Sequence, residues 1–309
     1  MKRVRTYNSI ATIGLEQFPR EGYEVASEIP LPDAIILRSQ NLFNEEFPES
    51  VRCIARAGAG TNNVPVARCS EQCIVVFNTP GANANAVKEL VVAGMLLSRR
   101  GIVQGIDYVS GLSEVTDKTA LNTQVEASKK AFKGSELKGR TLGVLGLGAI
   151  GSLVADIALQ LDMKVLGFDP ALSVESAWRL SSRVQKMDSI EALFARSDLV
   201  TLHVPALPET EKMVNATLLA AMKPGSVLLN FARGEIVDTA AIKASLTNGQ
   251  LGQYISDFPV PELVNLPGVL ATPHLGASTD EAEDNCAIMA ADQLMDFLTN
   301  GNIKNSVNF

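Results

Sequence analysis

One segment, RTLGVLGLGAIGSLVADIALQLDMKVLGFDP at residues 140–170, restricts the chain to a narrow set of folds. An apolar stretch at 141–145 runs into Gly146-Leu147-Gly148-Ala149-Ile150-Gly151. A helical pattern, 149–160, starts inside that motif. A second apolar strand, 164–168, then ends at Asp169, 18 residues beyond Gly151. Strand, glycine turn, helix and parallel strand make the βαβ unit of an open α/β sheet. Each glycine has its own task. Gly146 permits the tight turn, Gly148 lets a pyrophosphate approach bare backbone, and Gly151 lets helix and strand pack closely. The free N–H groups of the first helical turn, at Ala149 and Ile150, favour phosphate. Asp169 can accept ribose hydroxyls, and its charge repels a 2′-phosphate. Pro170-Ala171-Leu172 brings no arginine to offset that repulsion. The motif therefore implies a dinucleotide cofactor, and NAD rather than NADP.

The rest of the chain repeats the same alternation. Short apolar runs bounded by turn residues occur at 3–7, 34–38, 52–56, 75–78, 199–202, 226–230, 253–256 and 269–271, between helical patterns such as 189–195 and 239–248. Such alternation means parallel sheets covered by helices. A chain of 309 residues exceeds what one core usually supports. The expected fold class is α/β, with two doubly wound, Rossmann-like parallel-sheet domains and an active-site cleft between them. The region 83–109 reads as one long helix interrupted near Gly101 and Gly105. Residues 111–140 read as a polar excursion, and 279–299 as a final helix that returns to the first domain. The expected division is a discontinuous domain, 1–95 plus 280–309, and a dinucleotide domain, 96–279.

Charge and composition narrow the partners. A net charge of −7 disfavours nucleic acid and anionic membrane surfaces. No stretch approaches the length of a membrane span, and no apolar run of signal-peptide length follows the basic start. Cys53, Cys69, Cys73 and Cys286 have no nearby histidines to complete a metal set, so no metal is expected. They read as reduced thiols of a cytoplasmic protein.

Three further segments, LLNFARGEIVD, SDFPVPEL and ATPHLGAS, each follow an expected strand. Ligands of open α/β sheets bind beyond the carboxyl ends of the strands, so Arg233, Glu262 and His274 can converge there. His274 and His203 are the only histidines in the chain. This set, with the glycine motif, resembles the D-isomer-specific 2-hydroxyacid dehydrogenase family over essentially the whole length. The resemblance implies NAD-dependent oxidation of a 2-hydroxy acid, with Arg233, Glu262 and His274 as the catalytic group. Histidine suits removal of the hydroxyl proton. A carboxylate such as Glu262 stabilises the imidazolium and fixes its tautomer. Arginine offers a planar fork to the substrate carboxylate. The resemblance also places His203 near the cofactor and Asp257 at the nicotinamide carboxamide. Pro261 and Leu263 beside Glu262, and Phe231 before the ARG triplet, depart from the common family pattern without removing a catalytic group.

The first domain is expected to hold the other end of the substrate. ARAGAGTNNV, residues 55–64, follows a strand, and the N–H groups of Ala57, Gly58, Ala59, Gly60 and Thr61 form an expected anion nest. Arg38 and Arg56 end two strands beside it, which points to a second anionic group. RAGAGTNNV, FNTPGANANAVKEL, GSELKGRTLGVLGLGAIG and TPHLGASTDEAEDN resemble the branch of the family that acts on 3-phosphoglycerate in the phosphorylated route to L-serine. That resemblance implies substrate phosphate on Arg38 and Arg56, a partner-subunit contact near Lys129 and Lys130, and a homodimer through 111–140. Longer members of that branch continue into a serine-sensing domain beyond the position where this sequence stops. Two alternatives stay open. One is a glyoxylate or hydroxypyruvate reductase. The other is an NAD-sensing co-repressor, against which the paired arginines and the absence of a polar, disordered tail both weigh.

Overall fold

The computed structural model describes residues 1–309, apart from the side chain of Glu175. The chain forms two compact units, Met1–Ala86 with Ala277–Phe309, and Val87–Gly276.

The first unit is built on five parallel strands: β1 (Lys2–Thr6), β2 (Tyr23–Ala26), β3 (Ala34–Leu37), β4 (Cys53–Arg56) and β5 (Val75–Phe77), in the order β2-β1-β3-β4-β5. All four residues of β3 are buried, as in a strand covered on both faces. Alternation then divides the apolar residues between two layers. Ala34 and Ile36 join Val4, Cys53, Ala55 and Phe77 on one face, against Ala287, Ala290, Ala291 and Leu294 of the helix Asp280–Asn300. Ile35 and Leu37 join Ile54 and Val76 on the other. The stripe of small residues on the C-terminal helix lets it approach the sheet closely. That helix starts on a Thr279 cap, whose hydroxyl accepts the Ala282 N–H at 3.1 Å.

The second unit carries β6 (Thr141–Leu145), β7 (Lys164–Phe168), β8 (Gln185–Lys186), β9 (Leu199–Leu202), β10 (Ser226–Asn230), β11 (Leu251–Ser256) and β12 (Val269–Ala271). Their order is β12-β11-β10-β9-β6-β7-β8, all parallel. The order reverses between β6 and β9, the switch point at which such sheets bind ligands. Leu145, Val200 and Leu228 pack on one face. Val144, Leu199, Val227 and Leu229 pack on the other.

The units divide at Ala86/Val87 and Gly276/Ala277, against the expected 95/96 and 279/280. The reason is the helix Ala84–Arg99, whose Val87, Val91 and Met95 belong to the core of the second unit. Its Gly94 lies so close to Leu229 and Phe231 that a Cβ there would sit 3.0 Å from their side chains. The interruption expected near Gly101 and Gly105 in the helical stretch 83–109 falls at Gly101, which parts the helices Ala84–Arg99 and Ile102–Ser110, while Gly105 lies inside the second. The polar excursion holds a helix of its own, Lys118–Ser128, capped by Asp117, and a 3-10 turn, Lys129–Phe132. Lys129 in that turn pairs with Glu126. No described helix is long and apolar enough to cross a membrane.

Candidate active site

The glycine motif forms a cradle with three distinct geometries. Gly146 adopts φ +88, and a Cβ there would lie 2.6 Å from the carbonyl oxygen of His203. A Cβ on Gly151 would lie 1.9 Å from the Gly146 oxygen, so the helix Ala149–Gln160 meets the turn with no room for a side chain. A Cβ on Gly148 would meet nothing within 4 Å. Gly148 and Ala149 are exposed, and the helix begins there without a side-chain cap. A bare backbone edge at an open helix start fits a pyrophosphate. Asp169 closes the cradle: its carboxylate accepts the Leu147 N–H at 2.8 Å and the Ala171 N–H at 2.9 Å. These bonds fix the carboxylate and leave it lone pairs for a ribose. The residues present therefore fit NAD.

His203 lies behind the Gly146 turn. Its Nε2 pairs with the Thr201 hydroxyl at 2.9 Å, while its Nδ1 is sealed from solvent without a partner. Burial pushes this imidazole down to about 3, so it is neutral at working pH.

Arg233, Glu262 and His274 follow β10, β11 and β12, which are neighbours in the sheet. The Arg233 turn is built on Asn230, which is fully buried. The Asn230 amide donates to the Arg233 carbonyl at 2.8 Å, and its oxygen accepts the Ala232 N–H at 3.2 Å. The Arg233 guanidinium turns back to donate to the Ala232 carbonyl at 2.7 Å. Glu262 and His274 are both exposed, and no hydrogen bond or ion pair joins them among the described residues. The expected carboxylate–imidazole pairing is therefore not made in this arrangement of side chains.

A different carboxylate governs His274. Asp257 is 1% exposed, and its two oxygens accept the Thr272 hydroxyl at 2.6 Å, the Leu275 N–H at 2.7 Å and the Gly276 N–H at 2.7 Å. Its main-chain carbonyl accepts the His274 N–H at 3.1 Å. His274 has φ +58, a left-handed conformation unusual for a residue with a side chain. The expected seat for a nicotinamide carboxamide is thus a buried carboxylate engaged by the histidine turn itself. Phe258 was not singled out in the sequence, yet it touches both sides of the group. Its ring meets the His274 ring edge-on at 5.0 Å, and a Cβ on Gly234 would lie 3.3 Å from its own Cβ. An aromatic residue directly after a strand-end aspartate was the available signal.

In the first unit, Arg38 and Arg56 converge. The Arg56 Nε donates to the Arg38 carbonyl at 3.1 Å, and its guanidinium lies over Gly58, where a Cβ would be 2.0 Å from Nη1. Arg38 pairs with Glu283 of the C-terminal helix at 2.5 Å. The expected nest is smaller than five residues. The Ala57 N–H donates to the Leu37 carbonyl, extending the β3–β4 pairing by one residue, and the Gly58 N–H closes a tight turn onto the Arg56 carbonyl. Ala59, Gly60 and Thr61 keep their N–H groups free of protein acceptors among the described residues.

Residues 106–276 match the model for the NAD binding domain of D-isomer specific 2-hydroxyacid dehydrogenases. The chain belongs to that family. A D-3-phosphoglycerate dehydrogenase of Synechocystis is 36% identical over 297 residues, covering 92% of this chain and 50% of its own. A hydroxypyruvate reductase of Thermotoga maritima is 34% identical over 283 residues, covering 88% and 86%. Among solved structures, the NAD+-bound 3-phosphoglycerate dehydrogenase of Entamoeba histolytica superposes with a TM-score of 0.77 at 28% identity, over 100% of this chain and 99% of its own. The chain spans about half the length of the first D-3-phosphoglycerate dehydrogenases it matches. For this member of the 2-hydroxyacid dehydrogenases the cofactor is NAD, in agreement with the cradle and with Asp169.

Proposed function

We propose that the chain is an NAD-dependent D-2-hydroxyacid dehydrogenase whose substrate is 3-phospho-D-glycerate, oxidised to 3-phosphohydroxypyruvate. The observation that carries the dehydrogenase reading is the placement of Arg233, Glu262 and His274 after three adjacent strands of the unit that holds the glycine cradle. NAD bound in the cradle supplies the acceptor for the C2 hydride. The protein side of the reaction follows from the residues. Arg233 presents its fork to the substrate carboxylate. His274 takes the C2 hydroxyl proton through its exposed imidazole. Glu262 stabilises the imidazolium, a contact that requires its side chain to turn from the rotamer described. Arg38, Arg56 and the N–H groups of residues 59–61 give the first unit an anion site suited to the phosphate.

The test is a panel of 2-oxo acids reduced with NADH and followed by its absorbance. A kcat/KM for 3-phosphohydroxypyruvate well above those for hydroxypyruvate, glyoxylate and pyruvate is the expected result. A preference for an unphosphorylated acid removes the phosphate role of Arg38 and Arg56. That second reading, a hydroxypyruvate or glyoxylate reductase, is favoured by one observation: Arg38 is already paired with a carboxylate.

We also infer a homodimer. Ile102, Ile106 and Val109 of the helix Ile102–Ser110 are 40%, 60% and 54% exposed, and no residue of that helix is buried. Light scattering on the purified chain checks this, and a monomer at working concentration overturns it.

A further inference from the structure

The anion site of the first unit contains a negative charge of its own. Arg38 ends β3, and its Nη1 lies 2.5 Å from Glu283 Oε1. Arg56 ends the neighbouring strand β4 and is tied to Arg38 through the Arg38 carbonyl. The ion pair and the Arg56–Arg38 hydrogen bond bring the three side chains to the same strand ends. Arg38, Arg56 and Glu283 therefore form one local charge group. Glu283 lies in the first turn of the 21-residue helix, where the free N–H groups favour a negative charge. The surroundings suit an anion, and a side chain of the chain already stands there.

We propose that Glu283 is a specificity-determining residue, an internal counter-ion that an anionic substrate group must displace from Arg38. This rests on the reading that Arg38 and Arg56 receive the substrate phosphate. A substrate whose C3 carries a neutral hydroxyl leaves Arg38 paired with Glu283. A phosphate dianion outcompetes the single charge of the carboxylate and takes Arg38 from it. Glu283 thus lowers the advantage of the phosphorylated substrate by the worth of the ion pair it surrenders. It also keeps Arg38 from standing uncompensated when the substrate lacks a phosphate. The side chains are 34% and 42% exposed, so the exchange is open to solvent and needs no rearrangement of the core. Their exposure also bounds the effect, since solvent-exposed ion pairs are worth little.

The test compares the wild type with Glu283→Gln, an isosteric change at a half-buried position. The quantity read is the ratio of kcat/KM for 3-phosphohydroxypyruvate to that for hydroxypyruvate. Glu283→Gln raises this ratio about fivefold, the factor at the upper end of what an exposed ion pair is worth. Glu283→Asp, which keeps the charge, holds the ratio closer to the wild-type value. In an Arg38→Gln background the gain from Glu283→Gln shrinks to about twofold or less, as expected of two residues acting on each other. An unchanged ratio overturns the proposal. A lowered ratio also overturns it, and shows instead that Glu283 holds Arg38 ready for the phosphate.

A second measurement separates this from the substrate assignment. Inorganic phosphate titrated against the NADH-bound protein, with heat as the signal, binds tighter to Glu283→Gln than to the wild type. If that holds while the wild type prefers an unphosphorylated acid, the substrate assignment falls, the displacement by substrate falls with it, and Glu283 stands only as the group that shields Arg38 from anions. If the wild type prefers the phosphorylated acid while neither the ratio nor phosphate affinity moves, the counter-ion falls and the assignment stands.

Discussion

The main-chain carbonyl of Asp257 accepts the His274 N–H, while the Asp257 carboxylate holds the residues on both sides of that histidine. The imidazole proposed to move the proton is thus aimed by a buried aspartate that does not touch its ring. The left-handed backbone at His274, φ +58, persists because four hydrogen bonds to one residue fix the turn.

Replacing Asp257 therefore affects turnover more than cofactor affinity. Asp257→Ala strands the Leu275 and Gly276 N–H groups and lowers kcat about tenfold or more. NADH affinity, read by fluorescence titration, changes much less. Asp257→Asn keeps an acceptor for part of the turn and recovers part of the rate. Amide exchange at Leu275 and Gly276 accelerates in Asp257→Ala. A loss of NADH binding with kcat intact would instead place Asp257 at the nicotinamide.

His274→Ala lowers kcat by about a hundredfold or more, in the range expected for loss of a general acid–base, while NADH still binds. Near-normal turnover in this variant would leave His203 as the only histidine available. Its neutral, enclosed imidazole is poorly placed for that task.

The glycine cradle separates folding from binding. Gly151→Ala forces a Cβ to within 1.9 Å of the Gly146 oxygen, so the soluble yield and melting temperature fall together with cofactor binding. Gly148→Ala places its methyl group in open space. That variant melts like the wild type but binds NADH about tenfold more weakly, because the methyl occupies the approach of the pyrophosphate. Equal effects of the two substitutions on melting would contradict the geometry.

His203 gives stability a pH dependence of known sign. Its folded-state pKa lies near 3, below the ordinary value of 6.5. Between those values the unfolded chain binds the extra proton, so its contribution is full above pH 6.5 and is lost as pH falls toward 3. Within that window the slope from this residue approaches about 1.4 kcal/mol per pH unit. Urea melts of the wild type and His203→Asn across the acid range should converge as pH falls. Parallel curves would show that the imidazole protonates freely in the folded state.

The legible strands are runs of apolar residues closed by a turn: 141–145, 164–168, 199–202 and 226–230 coincide with the central β6, β7, β9 and β10, and 269–271 with the edge strand β12. The missed strands are edges. β2, with the alternating sequence YEVA, is only half-buried, and β8 is two exposed residues, so neither carries the continuous apolar signal. In the candidate site, motif spacing put Arg233, Glu262 and His274 in turns after three strands, and they do follow β10, β11 and β12. Partnership was not legible, because it depends on where side chains turn. Asp257 faces the histidine turn, Glu262 stands apart from it, and Arg38 finds Glu283 some 245 residues away in the chain.

The same long-range closure sets an order of assembly. Residues 87–276 form a contiguous stretch and contain every strand of their own sheet. The five-stranded sheet leaves the ribosome first, but one face lacks Ala287, Ala290, Ala291 and Leu294 until the last helix has been made. At synthesis rates of about 5–20 residues per second, that face waits roughly ten seconds or more for its cover. The unit begun first is completed last, and its open sheet is the surface a nascent-chain chaperone would meet.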